Sequence, residues 1–346
     1  MELNERVKAF SLLSDYLINF SYNENAEKLN GLDLAVKKAS YYNPWFGTDN
    51  IIFSLHSLGF SINEVAINKW LINYPEVNCN IISKRVGVVM AGNLPLVGFH
   101  DFFYVLMSGH KVIAKLSSDD QYLLPALAAK LIEFEPKFTG YIEFANQKLE
   151  AYDAVIATGS NNSARYFEYY FGKHPHIIRK NRNAIAVLSG KESYEELEAL
   201  SNDILRYYGM GCRNVSRLFV PENYKFDELL AVLAKNENLV DNSKYRNNYE
   251  YYKSIYLINQ QPFYDNGSLI FKNEKLISSP VSVVYYDFYK TKTEVIDFIE
   301  LNSDKIQCVI SSKECLPEAI PFGEAQYPGL FDYADGVDVM NFLLKL

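Results

Sequence analysis

The sequence predicts an α/β protein made of two doubly wound α/β domains. Three features of the sequence indicate this class. Short β-branched runs, several of them ending at Gly, alternate with amphipathic helical segments. A second series of this kind begins near residue 183. The chain has 346 residues, which is long enough for about two domains that each bury a core.

The first domain is predicted over residues 1–180 and starts with helices. Amphipathic segments separated near "SYNENAEKLNG" are followed by "NIIFSLHSLGF" and "INEVAINKWLINYP", which predict helices up to Pro75. "RVGVVMAG" (85–92) then predicts a buried strand, and "GNLPLVGFHDFFYVLMSGH" a helix after it. "KVIAKLS" (111–117) and "AYDAVIATGS" (151–160) are further strands, each followed by helical sequence. This alternation predicts a parallel sheet that binds its ligand at the carboxyl ends of the strands.

The second domain is predicted over residues 181–325, with a hinge near 178–186. "NAIAVLSG" opens its strand series, and "YEELEALSNDILRYYG" is the helix that follows. The strands "SRLFVPE", "PVSVVYYDF" and "KIQCVISS" come next, with the helices "FDELLAVLAK" and "KTEVIDFIEL" between them. Residues 326–346 form a separate C-terminal segment in this prediction.

Composition and charge exclude several classes of function. The net charge is −8 and Lys and Arg form no long block, so the sequence does not predict a nucleic-acid binder. The first residues are charged and no apolar run approaches membrane-spanning length, so we expect a cytoplasmic protein without a membrane span. Aromatic residues make up 15% of the chain, which fits either a lined apolar tunnel or ordinary core and surface filler.

Neither the cysteines nor the histidines show the spacing of a metal site. The four cysteines form no CxxC pair, and the five histidines form no HExxH pattern, so no metal is predicted. A disulfide framework is not indicated either, and Cys79, Cys308 and Cys315 are predicted to be inert. His174 and His176 lie in the predicted hinge, where one of them is either an acid or a structural residue.

Polar residues follow the predicted strands of the first domain. Asn93 either donates a hydrogen bond into the ligand crevice or caps the next helix. Lys115 either binds a nucleotide or is a solvated strand end. The turn at Gly159 and Ser160 would present backbone N–H groups to a pyrophosphate, although the chain has no GxGxxG in a strand–helix setting.

Cys212 is the candidate nucleophile. It lies in "YYGMGCRNVSRLFVPE" between Gly211, which leaves room for an acyl group, and Arg213, whose cation would favour a thiolate. The alternative is an ordinary buried cysteine. The residues by themselves leave both interpretations open.

Several segments, in this order, resemble the aldehyde dehydrogenase superfamily: "GNLPL", "VIAKLSSDD", "ATGS", "GMGCRNVSRLFVP" and "SSPVSVVYYDF". The similarity covers about 85–310 and extends to "DYADGVDVMNFLL" near the C-terminus. Within that superfamily, "MAGNLPLVGFHDFFYVLMSGHKVIAKLSSDD", "NPWF" and "FGEAQYPGLFDYADGVD" are most similar to fatty acyl-CoA reductases of the LuxC type.

The resemblance implies an aldehyde-dehydrogenase-like fold with the active site between two doubly wound domains. It implies that Cys212 forms an acyl thioester from a fatty acyl-CoA and that Asn93 holds the oxyanion. It places the nicotinamide cofactor against five residues: Lys115, Ser117, Ser118, Gly159 and Ser160. It also implies a homo-oligomer, with an acyl-supplying enzyme as a further partner.

Three departures from the superfamily pattern qualify these expectations. Ile178 lies close to the position of the general-base Glu of aldehyde-oxidising members, which favours acyl-CoA chemistry over oxidation to acid. Leu276 replaces a Glu that holds the nicotinamide ribose, so that contact is in doubt. Ser118 lies near the carboxylate of NAD-preferring members, so NADPH is expected and NADH stays possible.

Other functions remain open from the sequence. The same cysteine would serve a reductase of another activated acyl group, such as an acyl phosphate or a short-chain acyl-CoA. An acyltransferase with a decayed nicotinamide site is a second alternative, which Leu276 keeps open. A non-catalytic scaffold is the third.

Overall fold

The computed structural model describes residues 1–23, 30–78 and 82–346, and it divides into two compact units. Unit 1 comprises residues 1–181 and 327–346, and unit 2 comprises residues 182–326. The C-terminal segment therefore groups with the first unit. Cys79, predicted to be inert, lies outside the described residues, as does most of the predicted break near "SYNENAEKLNG".

Unit 1 begins with four helices: α1 (Leu3–Ile18), α2 (Gly31–Tyr42), α3 (Thr48–Ser61) and α4 (Glu64–Leu71). Strands and helices then alternate: β1 (Arg85–Val89), α5 (Phe99–Met107), β2 (Lys111–Lys115), α6 (Leu123–Phe134), β3 (Ile142–Phe144), β4 (Ala154–Thr158), α7 (Asn161–Phe171) and β5 (His176–Arg179). The strands form one parallel sheet in the order β3-β2-β1-β4-β5. This order is typical of a doubly wound sheet, in which the crevice between β1 and β4 is the usual ligand site.

The C-terminal segment joins unit 1 through partly buried polar contacts. The Trp70 indole N–H donates to the Tyr333 hydroxyl over 2.8 Å, and the Tyr74 hydroxyl donates to Asp338 over 3.0 Å. The chain ends with helix α12 (Val339–Leu344). The carbonyl oxygen of Leu343 in this helix lies 2.9 Å from the ring nitrogen Nε2 of His110. Apolar side chains of the segment join the core of this unit.

Unit 2 contains β6 (Asn183–Val187), α8 (Tyr194–Leu205), β7 (Val215–Pro221), α9 (Asp227–Ala234), α10 (Ser243–Ile258), β8 (Tyr264–Asp265), β9 (Ile270–Asn273), β10 (Val283–Tyr289), α11 (Lys292–Leu301) and β11 (Ile306–Ser311). Its sheet has the order β11-β6-β7-β10-β9-β8, and only the β8–β9 pair is antiparallel. The predicted α/β class with parallel sheets is confirmed.

Two parts of the secondary structure differ from the expectation. The helix predicted from Gly92 onward begins only at Phe99, because Pro95 and the left-handed Leu96 (φ 62°) form a turn before it. Helix α10 and strands β3, β5, β8 and β9 were not predicted. Helix α10 is rich in Tyr and Asn and packs through three tyrosines, a pattern that a search for aliphatic periodicity does not detect: Tyr245, Tyr249 and Tyr256.

Candidate functional site

The carboxyl ends of β2, β1 and β4 bring most of the predicted site residues of unit 1 to one sheet edge. Val89 pairs with Lys115 on one side and with Ala157 on the other, so the three strand ends are level. Asn93 follows β1, and Gly159 follows β4. The structure therefore gathers these residues at the point of the sheet where doubly wound proteins bind nucleotides.

Asn93 is exposed and lies in the turn that precedes α5. The N-cap of α5 is Gly98, so the alternative in which Asn93 caps that helix is wrong. The turn is fixed by two contacts from other segments. The Leu96 N–H donates to the Asp120 carboxylate over 2.7 Å, and the Ser54 hydroxyl donates to the Pro95 carbonyl over 3.1 Å.

Asp120 connects the predicted cofactor loop to the Asn93 turn. It lies two residues after Ser118, and its side chain is buried. Burial disfavours the charged carboxylate and raises its pKa to about 6, although N–H donors from Leu96 and Leu123 oppose the shift. Sequence reasoning missed this role, because no local pattern distinguishes Asp120 from the exposed Asp119.

The predicted cofactor residues after β2 differ in exposure. Lys115 is half-buried at the end of the strand, and its carbonyl accepts from the Met90 N–H over 3.0 Å. Ser117 is half-buried and Ser118 is exposed. A Cβ added to Gly92 would lie 2.4 Å from the Ser117 hydroxyl oxygen, so only glycine permits this approach. The result is a tight cradle of backbone and hydroxyl groups at the sheet edge.

Gly159 and Ser160 form the turn between β4 and α7. The Ser160 hydroxyl oxygen accepts from the Ser163 N–H over 3.2 Å, so Ser160 acts as the N-cap of α7. A Cβ on Gly159 would lie 2.9 Å from side-chain carbons of both Ser163 and Phe167. Glycine is therefore needed for the helix to pack against the turn.

A buried ion pair supports this turn from β5. Arg179 and Asp101 form a bidentate pair, one contact of which measures 2.8 Å. The same guanidinium lies 3.5 Å from the Thr158 hydroxyl oxygen, and the Arg179 carbonyl accepts from the Gly159 N–H over 3.4 Å. The sequence did not identify either residue of the pair, because they are 78 positions apart.

Cys212 lies in unit 2, in a tight turn between α8 and β7. The Asn214 N–H donates to the Gly211 carbonyl over 3.0 Å, which closes the turn with Cys212 as one of its two central residues. Cys212 is exposed, so the buried-cysteine alternative is wrong. The turn follows the C-terminal end of α8, and no helix N-terminus occurs at this point of the chain.

The chain reaches this turn through an unusual backbone path. Tyr207 and Tyr208 both have left-handed backbone angles, with φ of 54° and 58°, and Gly209 follows at 75°. A left-handed non-glycine residue costs on the order of 1 kcal/mol or more. Two in succession indicate that contacts elsewhere hold the segment that leads to Cys212.

Asn214 supplies several of those contacts from its buried side chain. Its amide oxygen accepts from the Gly211 N–H over 2.8 Å. Its amide nitrogen donates to the carbonyls of Asp203 and Arg206, over 3.1 and 2.8 Å. One side chain thus satisfies carbonyls at the end of α8 and fixes the start of the Cys212 turn.

The positions where the chain departs from the superfamily pattern are also visible. Ile178 lies inside β5 and pairs with Ala157. Leu276 is exposed, in the loop before β10, and its carbonyl accepts from the buried Arg217 over 3.2 Å. His176 is the first residue of β5, whereas Lys115 is the last residue of β2. Because the strands are parallel, His176 lies at their amino ends and Lys115 at their carboxyl ends, so the position of His176 within unit 1 does not support an acid role beside Lys115.

Within the described ranges, no group of three or more His, Cys, Asp or Glu side chains could hold a metal ion. Cys308 is half-buried within β11, and Cys315 is buried in the segment that follows β11. No described helix is long and apolar enough to cross a membrane.

Residues 82–240 match the family model described as acyl-CoA reductase (LuxC). No curated protein matches the sequence. Among solved structures, the chain is similar to the indole-3-acetaldehyde dehydrogenase of P. syringae, crystallised with NAD+, at 12% identity and a TM-score of 0.62 over 92% of this chain and 74% of that one. It is similar to aldehyde dehydrogenase 21 of Physcomitrella patens at 12% identity and a TM-score of 0.65, over 100% of this chain and 84% of that one.

These comparisons confirm the resemblance stated from the sequence. The LuxC model spans Asn93, Lys115 and Cys212, and the fold is that of aldehyde dehydrogenases. The family match and the shared fold together support an oxidoreductase of the aldehyde dehydrogenase type.

Proposed function

We propose that the chain reduces a fatty acyl-CoA to the fatty aldehyde with NADPH, through an acyl thioester on Cys212. The observation that carries the proposal is the exposed Cys212 in a turn with both ends fixed, inside the region that matches the acyl-CoA reductase model. A nucleophilic thiol requires access to its substrate and a fixed backbone, and this turn provides both.

In the first half-reaction the Cys212 sulfur attacks the thioester carbonyl, a new C–S bond forms, and CoA leaves as its thiolate. We assign the Asn93 amide and the Cys212 N–H to the oxyanion that develops in this step. Removing one such donor typically costs about 10²–10³ in rate. The β5 segment His176–Arg179 has Ile178 and no carboxylate, which supports a thioester that is not hydrolysed by an activated water.

In the second half-reaction a reduced nicotinamide, when bound, would supply the hydride that reduces the thioester carbonyl carbon. Cys212 then leaves the carbon as a thiolate, and the aldehyde is released. We assign Lys115 and Ser117 to the adenosine ribose, and Gly159 and Ser160 to packing against the cofactor. The Gly92–Ser117 cradle fits this role, because a side chain at Gly92 would fill it.

The choice of NADPH over NADH depends on Ser118, which is exposed and carries no charge to repel a 2′-phosphate. The exposed carboxylate of Asp119 beside it favours NADH instead. We expect kcat/KM to be higher with NADPH, and Asp119→Asn to increase that preference. A higher kcat/KM with NADH in the wild type would reverse the assignment.

Intact-protein mass spectrometry tests the reaction. After mixing with a long-chain acyl-CoA, the wild type should gain one acyl group, and NADPH should then remove it and yield aldehyde. Cys212→Ala should gain none, while Cys315→Ala, a buried thiol, should behave as the wild type. An adduct that remains after the addition of NADPH or NADH would favour acyl transfer. If no acyl-CoA of any length forms an adduct, acyl phosphates become the next substrates to test.

The partners follow from the same proposal. We expect a homo-oligomer, and we expect it to associate with an enzyme that supplies acyl groups. Light scattering of the purified chain measures the first, and a mass above one chain is the expected result.

A further inference from the structure

We propose that Asp203 is a positioning residue for Cys212, acting through the 323–326 segment and through Arg213. The inference rests on the proposed function, since it concerns acylation of Cys212. It assigns a role to a buried carboxylate that the reaction itself does not use.

The carboxylate of Asp203 holds the 323–326 segment. Asp203 is fully buried near the end of α8. One of its oxygens accepts from the Gly323 N–H over 2.6 Å, and the other accepts from the Ala325 N–H over 3.1 Å. Burying a carboxylate is costly unless donors of this kind satisfy its oxygens. The contact therefore fixes both the side chain and the backbone that it binds.

The 323–326 segment in turn holds the residue next to Cys212. The Arg213 Nε–H donates to the Ala325 carbonyl over 2.5 Å. The Gln326 amide donates to the Arg213 carbonyl over 3.0 Å. Arg213 is thus bound both through its side chain and through its backbone. Because Cys212 and Arg213 share a peptide bond, this fixes one side of the Cys212 turn.

The other side of the turn is joined to the same part of α8. Asn214 accepts from the Gly211 N–H and donates to the Asp203 carbonyl over 3.1 Å. Asp203 is therefore connected to the Cys212 turn by its carbonyl on one side and by its carboxylate, through residues 323–326, on the other. We call this set of contacts the Asp203 clamp.

The charged groups that face the Asp203 carboxylate act in opposite directions. Burial raises the pKa of Asp203 to about 7, the Arg213 guanidinium lowers it, and Glu324 raises it. Protonation puts a hydrogen on one carboxyl oxygen and weakens its acceptance from Gly323 or Ala325. Acylation of Cys212 should therefore slow as the pH falls through about 7.

Asp203→Asn is the decisive variant. The asparagine keeps one acceptor but presents an NH2 group to a backbone N–H, so it breaks half of the carboxylate contact. Glu198→Gln on the same helix is the matched control, because Glu198 is exposed. Gln326→Ala is a milder variant that removes the contact to the Arg213 carbonyl and leaves the Asp203 carboxylate in place. Circular dichroism melting shows whether each variant is folded.

Three rates are measured for each protein. The first is acylation of Cys212 by acyl-CoA as a function of pH. The second is alkylation of Cys212 by iodoacetamide, which requires exposure of the thiolate but not alignment with an oxyanion site. The third is hydrogen exchange in peptides covering residues 207–216 and 322–327, which does not depend on any substrate.

For Asp203→Asn we expect acylation to fall about 10- to 100-fold, the size of a misplacement of about 1 Å. Alkylation should change by less than about threefold, since the thiol stays exposed. The step near pH 7 should disappear from the acylation profile, and both peptides should exchange faster. Gln326→Ala should show a smaller fall in acylation, and Glu198→Gln none.

Unchanged acylation in Asp203→Asn overturns the proposal. A parallel fall of acylation and alkylation with a lower melting temperature also overturns it, because it identifies Asp203 as a structural residue only. If the wild type itself is never acylated, the proposed function fails, and hydrogen exchange alone decides the clamp. Unchanged exchange in the two peptides then refutes it.

Discussion

Replacing Asp101 by Asn tests how the predicted cofactor turn is supported. The change keeps the shape of the side chain but removes the negative charge opposite Arg179. Both side chains of the pair are buried, with exposures of 7% for Arg179 and 5% for Asp101. The guanidinium would then lose the stronger of its counter-charges in a low-dielectric environment and keep only the weaker attraction of Asp335, so the protein should lose stability.

The expected size follows from this burial. Removing one partner of a buried ion pair typically costs about 3–5 kcal/mol, whereas an exposed pair contributes about 0–1 kcal/mol. Unit 1 covers residues 1–181 and 327–346. For a domain of about 200 residues, 1 kcal/mol shifts the melting temperature by about 2–4 °C. Asp101→Asn should therefore lower Tm by about 6–20 °C.

Urea unfolding and thermal melting measure the effect, and the chain contains a suitable control. Arg85 and Glu143 form an ion pair over 2.9 Å with exposures of 40% and 56%. Glu143→Gln should change the free energy of unfolding by less than about 1 kcal/mol. The double variant Asp101→Leu/Arg179→Met should recover most of the lost stability, because it removes both buried charges together.

The pair also has a functional consequence, because Arg179 contacts the turn at Thr158 and Gly159. Asp101→Asn should weaken NADPH binding in a fluorescence titration at a temperature where the variant is folded. A loss of stability no larger than that of Glu143→Gln would refute the reasoning. So would a double variant that is less stable than Asp101→Asn itself.

Two further predictions concern the sheet edge of unit 1. Gly92→Ala should raise the Kd for NADPH at least about tenfold, because its Cβ would lie 2.4 Å from the Ser117 hydroxyl oxygen; Gly140→Ala, with no atom within 4 Å of the new Cβ, should leave Kd unchanged. The raised pKa of Asp120 means that the folded state binds its proton more tightly than the unfolded chain, so the contribution of Asp120 to the free energy of unfolding should fall by at most about 3 kcal/mol as pH rises from about 4 to about 6. Asp120→Asn should show a shallower decline over that range, and an identical slope in both proteins would contradict the raised pKa.

Most strands were predictable because the pattern that indicates a strand lies within a few consecutive residues. Strands β1, β2, β4, β6, β7, β10 and β11 all lie within β-branched runs, and their pattern predicted parallel pairing. Strand β5 was missed because His176–Arg179 is short and lies between charged residues. Helix α10 was missed because its buried face is made of tyrosines that also hydrogen-bond, as Tyr249 does to Asp265 over 2.8 Å.

The candidate site was predictable where the residue type itself carries chemistry. Asn93, Lys115 and Cys212 were proposed from residue type, sequence position and resemblance. The side chains that hold them were not identified. Asp203 binds the backbone 120 residues away at Gly323, and no local pattern distinguishes it from a solvated helix carboxylate. Such partners are found only once the fold has brought distant segments together.

Asp120 and Asp203 show why these supporting residues are carboxylates. Each loop that carries a predicted reactive residue leaves backbone N–H groups outside any helix or strand, and a buried unsatisfied N–H costs about 1–3 kcal/mol. One carboxylate accepts from two backbone N–H groups at once, as Asp203 does from Gly323 and Ala325 in the segment that binds Arg213. Burial raises the pKa of the Asp203 carboxyl group, so the contact that holds the loop depends on pH. If this reasoning holds, Asp120→Asn and Asp203→Asn should alter the pH profile of catalysis more than they alter binding of NADPH, because each changes the alignment of Asn93 or Cys212 and leaves Lys115 in place.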